Sequence, residues 1–151
     1  MTLPTLHVVC TRTEARALID QHERFWVSRC GCREARGHCD QSRLDVCLLF
    51  RDDIETSGSG RRELDRAEVE RLLEDSEAAR LVPRPFRDYE THQRIDGVCF
   101  CCGDCCSYFL SPEDEPCEVG ALVERTDLEG CTHCGLCEDA CRFHARPLVD
   151  G

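Results

Sequence analysis

The expected fold depends on one stretch, Cys131-Thr132-His133-Cys134-Gly135-Leu136-Cys137-Glu138-Asp139-Ala140-Cys141. Its four cysteines have the spacing C-x2-C-x2-C-x3-C. So many thiols in one short run indicate metal binding. A loop of this spacing brings the first three sulfurs to one face of a metal centre, and the first turn of a following helix carries the fourth. Gly135 suits such a loop, because glycine lets backbone amides come close to sulfur.

The run from Cys131 to Ala145 resembles one half of a bacterial-type ferredoxin. The resemblance implies a [4Fe–4S] cluster at Cys131, Cys134 and Cys137, and in bacterial ferredoxins the fourth cysteine ligates the other cluster of a pair. This chain has Arg142 where the family has proline, so the geometry expected at Cys141 departs from the family pattern.

The chain contains 15 cysteines in 151 residues, which indicates either a disulfide scaffold or metal ligation. Its first ten residues lack the basic and apolar regions of a secretory signal, so we expect a cytoplasmic, metal-binding protein. The longest apolar run, at 46–50, is too short to cross a bilayer, and we expect no membrane insertion.

The formal net charge is −11, and all 19 basic residues are arginine. Such acidity argues against nucleic acid as a partner. It favours docking to a redox protein or a larger oxidoreductase complex with a basic patch, unless the charge serves only solubility. The sequence has no glycine-rich phosphate loop and no nucleophile–base pattern, so no small-molecule substrate is evident.

A second cysteine group has the spacing C-x-C-x6-C-x7-C and consists of Cys30, Cys32, Cys39 and Cys47. Four thiols suffice for a tetrahedral site, and the irregular spacing leaves zinc and iron–sulfur equally open. His38 is a possible substitute ligand. Alternatively, Cys47 is only a core residue inside its apolar run.

A third group consists of Cys99, Cys101, Cys102, Cys105 and Cys106, with Cys117 further along. Every third residue from Cys99 gives C-x2-C-x2-C, the ferredoxin triplet without its fourth cysteine. The spacing suggests an exchange in which Cys141 completes this triplet, while Cys106 or Cys117 completes the cluster at 131–137.

Residues 25 to 150 resemble a wider set of bacterial and archaeal iron–sulfur proteins. In that set a Cys-x-Cys-Arg…Cys…Val-Cys-Leu-x-Phe segment and a Cys-x-Cys-Cys-Gly-x-Cys-Cys segment precede a ferredoxin module. The matching positions here are Cys30, Cys32, Arg33, Cys39, Val46, Cys47, Leu48 and Phe50, then Cys99, Cys101, Cys102, Gly103, Cys105 and Cys106.

We expect a small α+β chain with little regular structure, organised around metals in place of a large core. Its predicted parts are a short mixed α/β N-terminal domain at 1–96 and a ferredoxin-like domain at 97–151. Local patterns predict a helix capped by Thr11 or Thr13, a strand at 25–27, a loop at 51–60 and an amphipathic helix over 63–79 with a capping box at Asp65. Prolines at 83 and 85 predict that this helix has ended, and Cys10 is expected to be a small buried hydrophobe.

These patterns favour an iron–sulfur electron-transfer protein that acts as a small subunit or docking partner of a larger redox enzyme. We expect one [4Fe–4S] cluster at 131–141 and two or more clusters in total, with zinc as the alternative metal at 30–47. Phe100, Leu136 and Phe143 would limit water, and His133 and His144 would lie at the cluster's edge. The alternatives are a zinc-binding or redox-sensing adaptor and an iron–sulfur enzyme component with an open iron site.

Overall fold

The computed structural model describes residues 4–50, 60–111, 113, 117–141, 143 and 145–146. The chain forms two compact units, Met1–Gly120 and Ala121–Gly151. The boundary predicted between residues 96 and 97 falls inside a strand, Ile95–Cys101. The predicted division into an N-terminal domain at 1–96 and a ferredoxin-like domain at 97–151 stays a prediction. The predicted loop at 51–60 lies outside the described residues, apart from Gly60.

A mixed seven-stranded sheet forms the centre of the first unit. Its strands are β1 (His7–Val8), β2 (Phe25–Arg29), β3 (Asp45–Leu49), β4 (Arg62–Leu64), β5 (Val82–Arg87), β6 (Ile95–Cys101) and β7 (Cys117–Glu118), in the order β4-β2-β3-β6-β5-β1-β7. Neighbouring strands are antiparallel, except that β1 and β7 are parallel. The presence of helices and strands agrees with an α+β chain, but the expectation of little regular structure is wrong.

The helices are α1 (Arg12–Ile19), α2 (Gly31–Arg36), α3 (Arg66–Ala78) and α4 (Ser107–Leu110) in the first unit, and α5 (Leu136–Ala140) in the second. Both predicted caps are confirmed. Thr11 Oγ1 accepts from the Glu14 amide at 3.2 Å, and Asp65 Oδ1 accepts from the Glu68 amide at 2.7 Å. The capping box at Asp65 marks the start of α3 as predicted, but the helical spacing traced from residue 63 began too early, because residues 62–64 pair with β2 as a strand.

The apolar core lies on one face of the sheet, where Phe25 and Val27 of β2 pack with Val69 and Leu72 of α3. A smaller cluster of Trp26, Leu49 and Phe86 comes from alternate strand positions. This division follows from the period-two alternation of strand side chains. The core is continuous with several cysteines, so the apolar packing also positions the thiols.

β5 occupies the segment that the sequence assigned only to the end of a helix. Its prolines fit because their missing amide hydrogens face the edge beside β1, where the described register with β5 is the single pair His7↔Phe86. On that side the Pro83 carbonyl accepts from the Cys10 amide at 3.5 Å. The other edge of β5 pairs with β6 along its length, including Arg84↔Cys99.

Candidate metal centres

The cysteines of the second unit lie on a loop and on the short helix that follows it. Cys131 and Cys134 belong to the loop, Cys137 lies on α5, and Cys141 caps the end of α5. Gly135 precedes the helix with φ 78°, a left-handed conformation that glycine adopts without strain. The predicted loop followed by a helix is present, but the prediction that the first turn of the helix carries the fourth cysteine is wrong: Cys137 lies in that turn, and Cys141 follows the last helical residue.

Backbone and side-chain groups around Cys134 favour its thiolate. The Leu136 amide donates a hydrogen bond to the Cys134 sulfur, with a further bond from Thr132, and together they lower the pKa of Cys134. Cluster ligands are thiolates, and amide hydrogen bonds to their sulfurs are a regular feature of cluster sites. Four thiols, one of them already favoured as thiolate, are a donor set that fits an iron–sulfur cluster.

The described residues of the second unit provide little apolar shielding. Leu136 is 70% exposed and Phe143 is 37% exposed, so the expectation that both limit water at the centre is wrong. Phe100 is buried, but it belongs to the core of the first unit. His133 is exposed with φ 53°, and His144 and Arg142 lie outside the described residues. We therefore expect a bound metal to contribute to the order of this unit.

The other two sequence groups interleave in the first unit. β3 and β6 are neighbours with Leu48 opposite Val98, and this register places Cys47 opposite Cys99. Their sulfurs are 3.5 Å apart. The groups at 30–47 and 99–106 therefore form one region of thiols, not two separate sites.

Within this region, three sulfurs form a compact triangle that we call the Cys39 cluster: Cys39, Cys102 and Cys105. The Sγ–Sγ distances are 3.6 Å for Cys39–Cys102, 3.5 Å for Cys102–Cys105 and 3.7 Å for Cys105–Cys39. A carboxylate oxygen of Asp104 lies within 4.8 Å of all of these sulfurs. In the protein alone, burial raises the pKa of Cys105, and the neighbouring Cys102 raises it further. The protein alone therefore disfavours three adjacent thiolates at this position, and a bound cation would be needed to stabilise them.

The remaining thiols form a continuous series that we call the Cys47 row: Cys99, Cys47, Cys30, Cys32, Cys106 and Cys101. Cys30 caps α2 without a side-chain hydrogen bond to the helix, and Cys106 does the same for α4. Cys32 interacts with both of these cysteines. Cys47 is both a core residue and a member of the row, so the two interpretations of it are compatible.

A buried arginine accompanies the Cys39 cluster. Arg33 of α2 is 0% exposed, and its guanidinium donates to the carbonyl oxygens of Arg43 at 2.9 Å and Phe100 at 3.0 Å. Its Nη2 lies 3.9 Å from the Cys102 sulfur. Among the described residues no carboxylate hydrogen-bonds this guanidinium, and its Nε has no hydrogen-bond partner. A buried cation in such surroundings is costly unless anionic sulfur compensates it.

A second buried arginine, Arg84 of β5, accompanies the Cys47 row. It is 2% exposed, and its Nη1 lies 2.9 Å from the Cys106 sulfur and 3.9 Å from the Cys101 sulfur. The guanidinium carbon also lies 4.9 Å from the centre of the Tyr108 ring. Sequence reasoning gave neither arginine a role, although Arg33 stands in the quoted Cys-x-Cys-Arg segment.

The structure regroups several predicted ligands. The triplet Cys99, Cys102 and Cys105 does not converge, since Cys99 contacts Cys47 while the other two contact Cys39. Cys117 lies on β7, opposite His7 and outside both groups of thiols. The exchange of ligands with Cys141 stays a prediction.

Two further candidates lie apart from the thiol groups. The His38 ring is exposed and lies 3.8 Å from the Asp40 carboxylate. Cys10 is half-buried, as expected of a small hydrophobe, and its sulfur lies 3.9 Å from the Pro83 carbonyl oxygen. Burial, and then Glu14, raise the pKa of Cys10 to about 11.

Residues 125–146 match the family model described as the 4Fe-4S binding domain. The matched segment contains Cys131, Cys134, Cys137 and Cys141, and it lies within the second unit. No curated protein and no solved structure matches the chain. The match supports a ferredoxin-type module with at least one 4Fe–4S cluster in this chain. Within the described residues, the helices are all too short or too polar to cross a bilayer.

Proposed function

We propose that this protein is an iron–sulfur electron carrier. The observation that carries the proposal is the agreement between the family match at 125–146 and the loop–helix arrangement of the four cysteines inside it. A [4Fe–4S] cluster supplies reversible one-electron chemistry when it is bound.

The residues of the second unit have distinct tasks in this proposal. Cys131, Cys134, Cys137 and Cys141 hold the cluster as thiolates. The Leu136 amide donates to the Cys134 sulfur, which stabilises the thiolate and contributes to the potential. Cys134 and Cys137 are exposed, so electrons have only a short distance to travel from a docked protein to the centre.

The partner that best fits the chain is a redox protein or larger oxidoreductase complex with a basic surface, in the cytoplasm. Support comes from the net charge of −11, which would steer a basic partner toward the molecule. The second unit carries exposed acids, including Glu124, Glu129 and Asp139. Because exposed charges are screened by salt, the rate of electron exchange should fall as ionic strength rises.

We further propose that the Cys47 row binds a second metal centre. The row offers more thiols than one tetrahedral ion uses, and Arg84 places a buried positive charge beside it. An iron–sulfur cluster here would give the chain two clusters, in line with the expectation of two or more.

The direct test is a redox titration of anaerobically purified protein, followed by absorbance and by electron paramagnetic resonance. An electron carrier should bleach on reduction with dithionite and recover on oxidation. Electron transfer to a basic acceptor such as cytochrome c should slow with added salt. Cys10→Ser is the matched control, since it removes a thiol outside every proposed centre. A spectrum that does not change on reduction would refute the proposal.

A further inference from the structure

The Cys39 cluster has the dimensions of a site for a single metal ion. Its three Sγ–Sγ distances are 3.6, 3.5 and 3.7 Å. In a tetrahedral site with metal–sulfur bonds of about 2.3 Å, ligand sulfurs are about 3.8 Å apart. In a cubane each cysteine binds a different iron, so the cysteine sulfurs lie farther apart. The triangle therefore matches three corners of one tetrahedron.

Asp104 is suited to the fourth corner. Its carboxylate lies within 4.8 Å of the three sulfurs and stands between Cys102 and Cys105 in the chain. Asp104 Oδ2 accepts the Asp40 amide at 3.0 Å, which fixes the carboxylate beside Cys39. Arg36 also donates to the Asp104 carbonyl oxygen. Zinc accepts carboxylate oxygen together with thiolates, and supporting hydrogen bonds of this kind orient its ligands.

Arg33 gives an independent indication of negative charge at the Cys39 cluster. Its fully buried guanidinium has backbone carbonyls and the Cys102 sulfur as its described hydrogen-bond acceptors. Neutral thiols would leave that cation uncompensated in the core. A divalent ion with three thiolates and the Asp104 carboxylate carries a net charge of −2, and the guanidinium offsets one of these charges.

We infer that Cys39, Cys102, Cys105 and Asp104 form a tetrahedral zinc site that joins the loop after α2 to the turn after β6. The site takes one ligand from the second cysteine group and two from the third. It holds together segments that are 63 residues apart in the chain. The inference concerns only the first unit, and it does not depend on electron transfer at 131–141.

The test uses the full chain, purified anaerobically, and combines metal analysis with X-ray absorption at the zinc K-edge. Each preparation of wild type, Cys39→Ser, Asp104→Asn and the control Cys10→Ser is assayed for zinc, iron and acid-labile sulfide. Wild type should show sulfur at about 2.3 Å and one oxygen at about 2.0–2.2 Å from zinc. Cys39→Ser should lose one zinc ion per chain while iron and sulfide stay unchanged.

Asp104→Asn keeps all three thiols, so it tests the site even if Cys39→Ser does not fold. It should release zinc to a chelator roughly tenfold faster or more, as expected for a weakened ligand. Cys137→Ser should lose iron but keep this zinc, which separates the inference from the proposed function. Wild type without zinc, or Cys39→Ser that loses iron and sulfide instead, would overturn the inference.

Discussion

The sulfurs of Cys39 and Cys102 lie 3.6 Å apart although the two residues are separated by 63 positions in the sequence. Their contact joins the loop that follows α2 to the turn that follows β6. Because metal binding at such a contact is part of the folding free energy, the first unit should be less stable without metal.

Replacing Cys137 with serine should abolish the cluster of the second unit. The substitution removes one of the four thiolates and replaces it with a weaker ligand at an exposed position. Iron and sulfide assays should show the loss, and the brown absorbance should fall with it. The sheet should be unaffected, so far-ultraviolet circular dichroism should retain its β signal. Unchanged iron in Cys137→Ser would contradict the assignment of this residue as a ligand.

Gly97→Ala should strongly destabilise the first unit. A Cβ at position 97 would fall on the Leu48 carbonyl oxygen and on the Phe86 ring, in the middle of β6. Overpacking of this kind costs about 1–3 kcal/mol, and more where backbone must move. Urea unfolding of the metal-loaded protein measures the change. Gly31→Ala is the control, because a Cβ there meets nothing within 4 Å, and equal midpoints for the two variants would contradict the prediction.

Arg33→Met should destabilise the first unit far more than the loss of a surface arginine. The change leaves the carbonyls of Arg43 and Phe100 without their donor, and it leaves buried thiolate uncompensated. Removing one partner of a buried charged group costs about 3–5 kcal/mol. Arg24→Met is the matched control, since its exposed pair with Glu63 at 3.1 Å is of a kind worth at most about 1 kcal/mol. Similar unfolding free energies for the two variants would show that Arg33 does not compensate buried charge.

Cys10 should react slowly with iodoacetamide at pH 8 in the folded protein. Its pKa is raised to about 11 by burial and by Glu14, so little thiolate is present at that pH. Since the neutral thiol is favoured by folding, this group's contribution to stability is complete below the ordinary value of 9.0 and declines as pH rises through about 11. Peptide mass spectrometry follows the alkylation, with the urea-unfolded chain as reference. Equal rates at pH 8 in the folded and unfolded chains would refute the raised pKa.

Features set by neighbours in the sequence were predictable. The caps at Thr11 and Asp65 depend on residues three positions away, and the run from Cys131 to Cys141 contains its own ligands. Local chemistry decides such elements, because the interacting groups meet within one turn. The family match at 125–146 covers the same local run.

Features set by strand pairing were not predictable from spacing. The meeting of Cys47 with Cys99 depends on β3 lying beside β6, and the pairing of Cys39 with Cys102 depends on the loop between α2 and β3 lying beside the turn after β6. The period-three pattern of Cys99, Cys102 and Cys105 suggested a ferredoxin triplet, whereas Cys99 lies within β6 and contacts Cys47. β5 was missed from the sequence for a related reason. Prolines usually interrupt a strand, and they are tolerated here because they face the sparsely paired edge beside β1, which only the strand pairing reveals.

The most direct test of the central claim is the iron and acid-labile sulfide content per chain of anaerobically purified wild-type protein, measured beside Cys137→Ser. The account predicts at least four irons and equal sulfide in wild type, because the match supports at least one 4Fe–4S cluster. It also predicts about four fewer of each in the variant. Wild-type protein that contains zinc but neither iron nor sulfide would contradict the account.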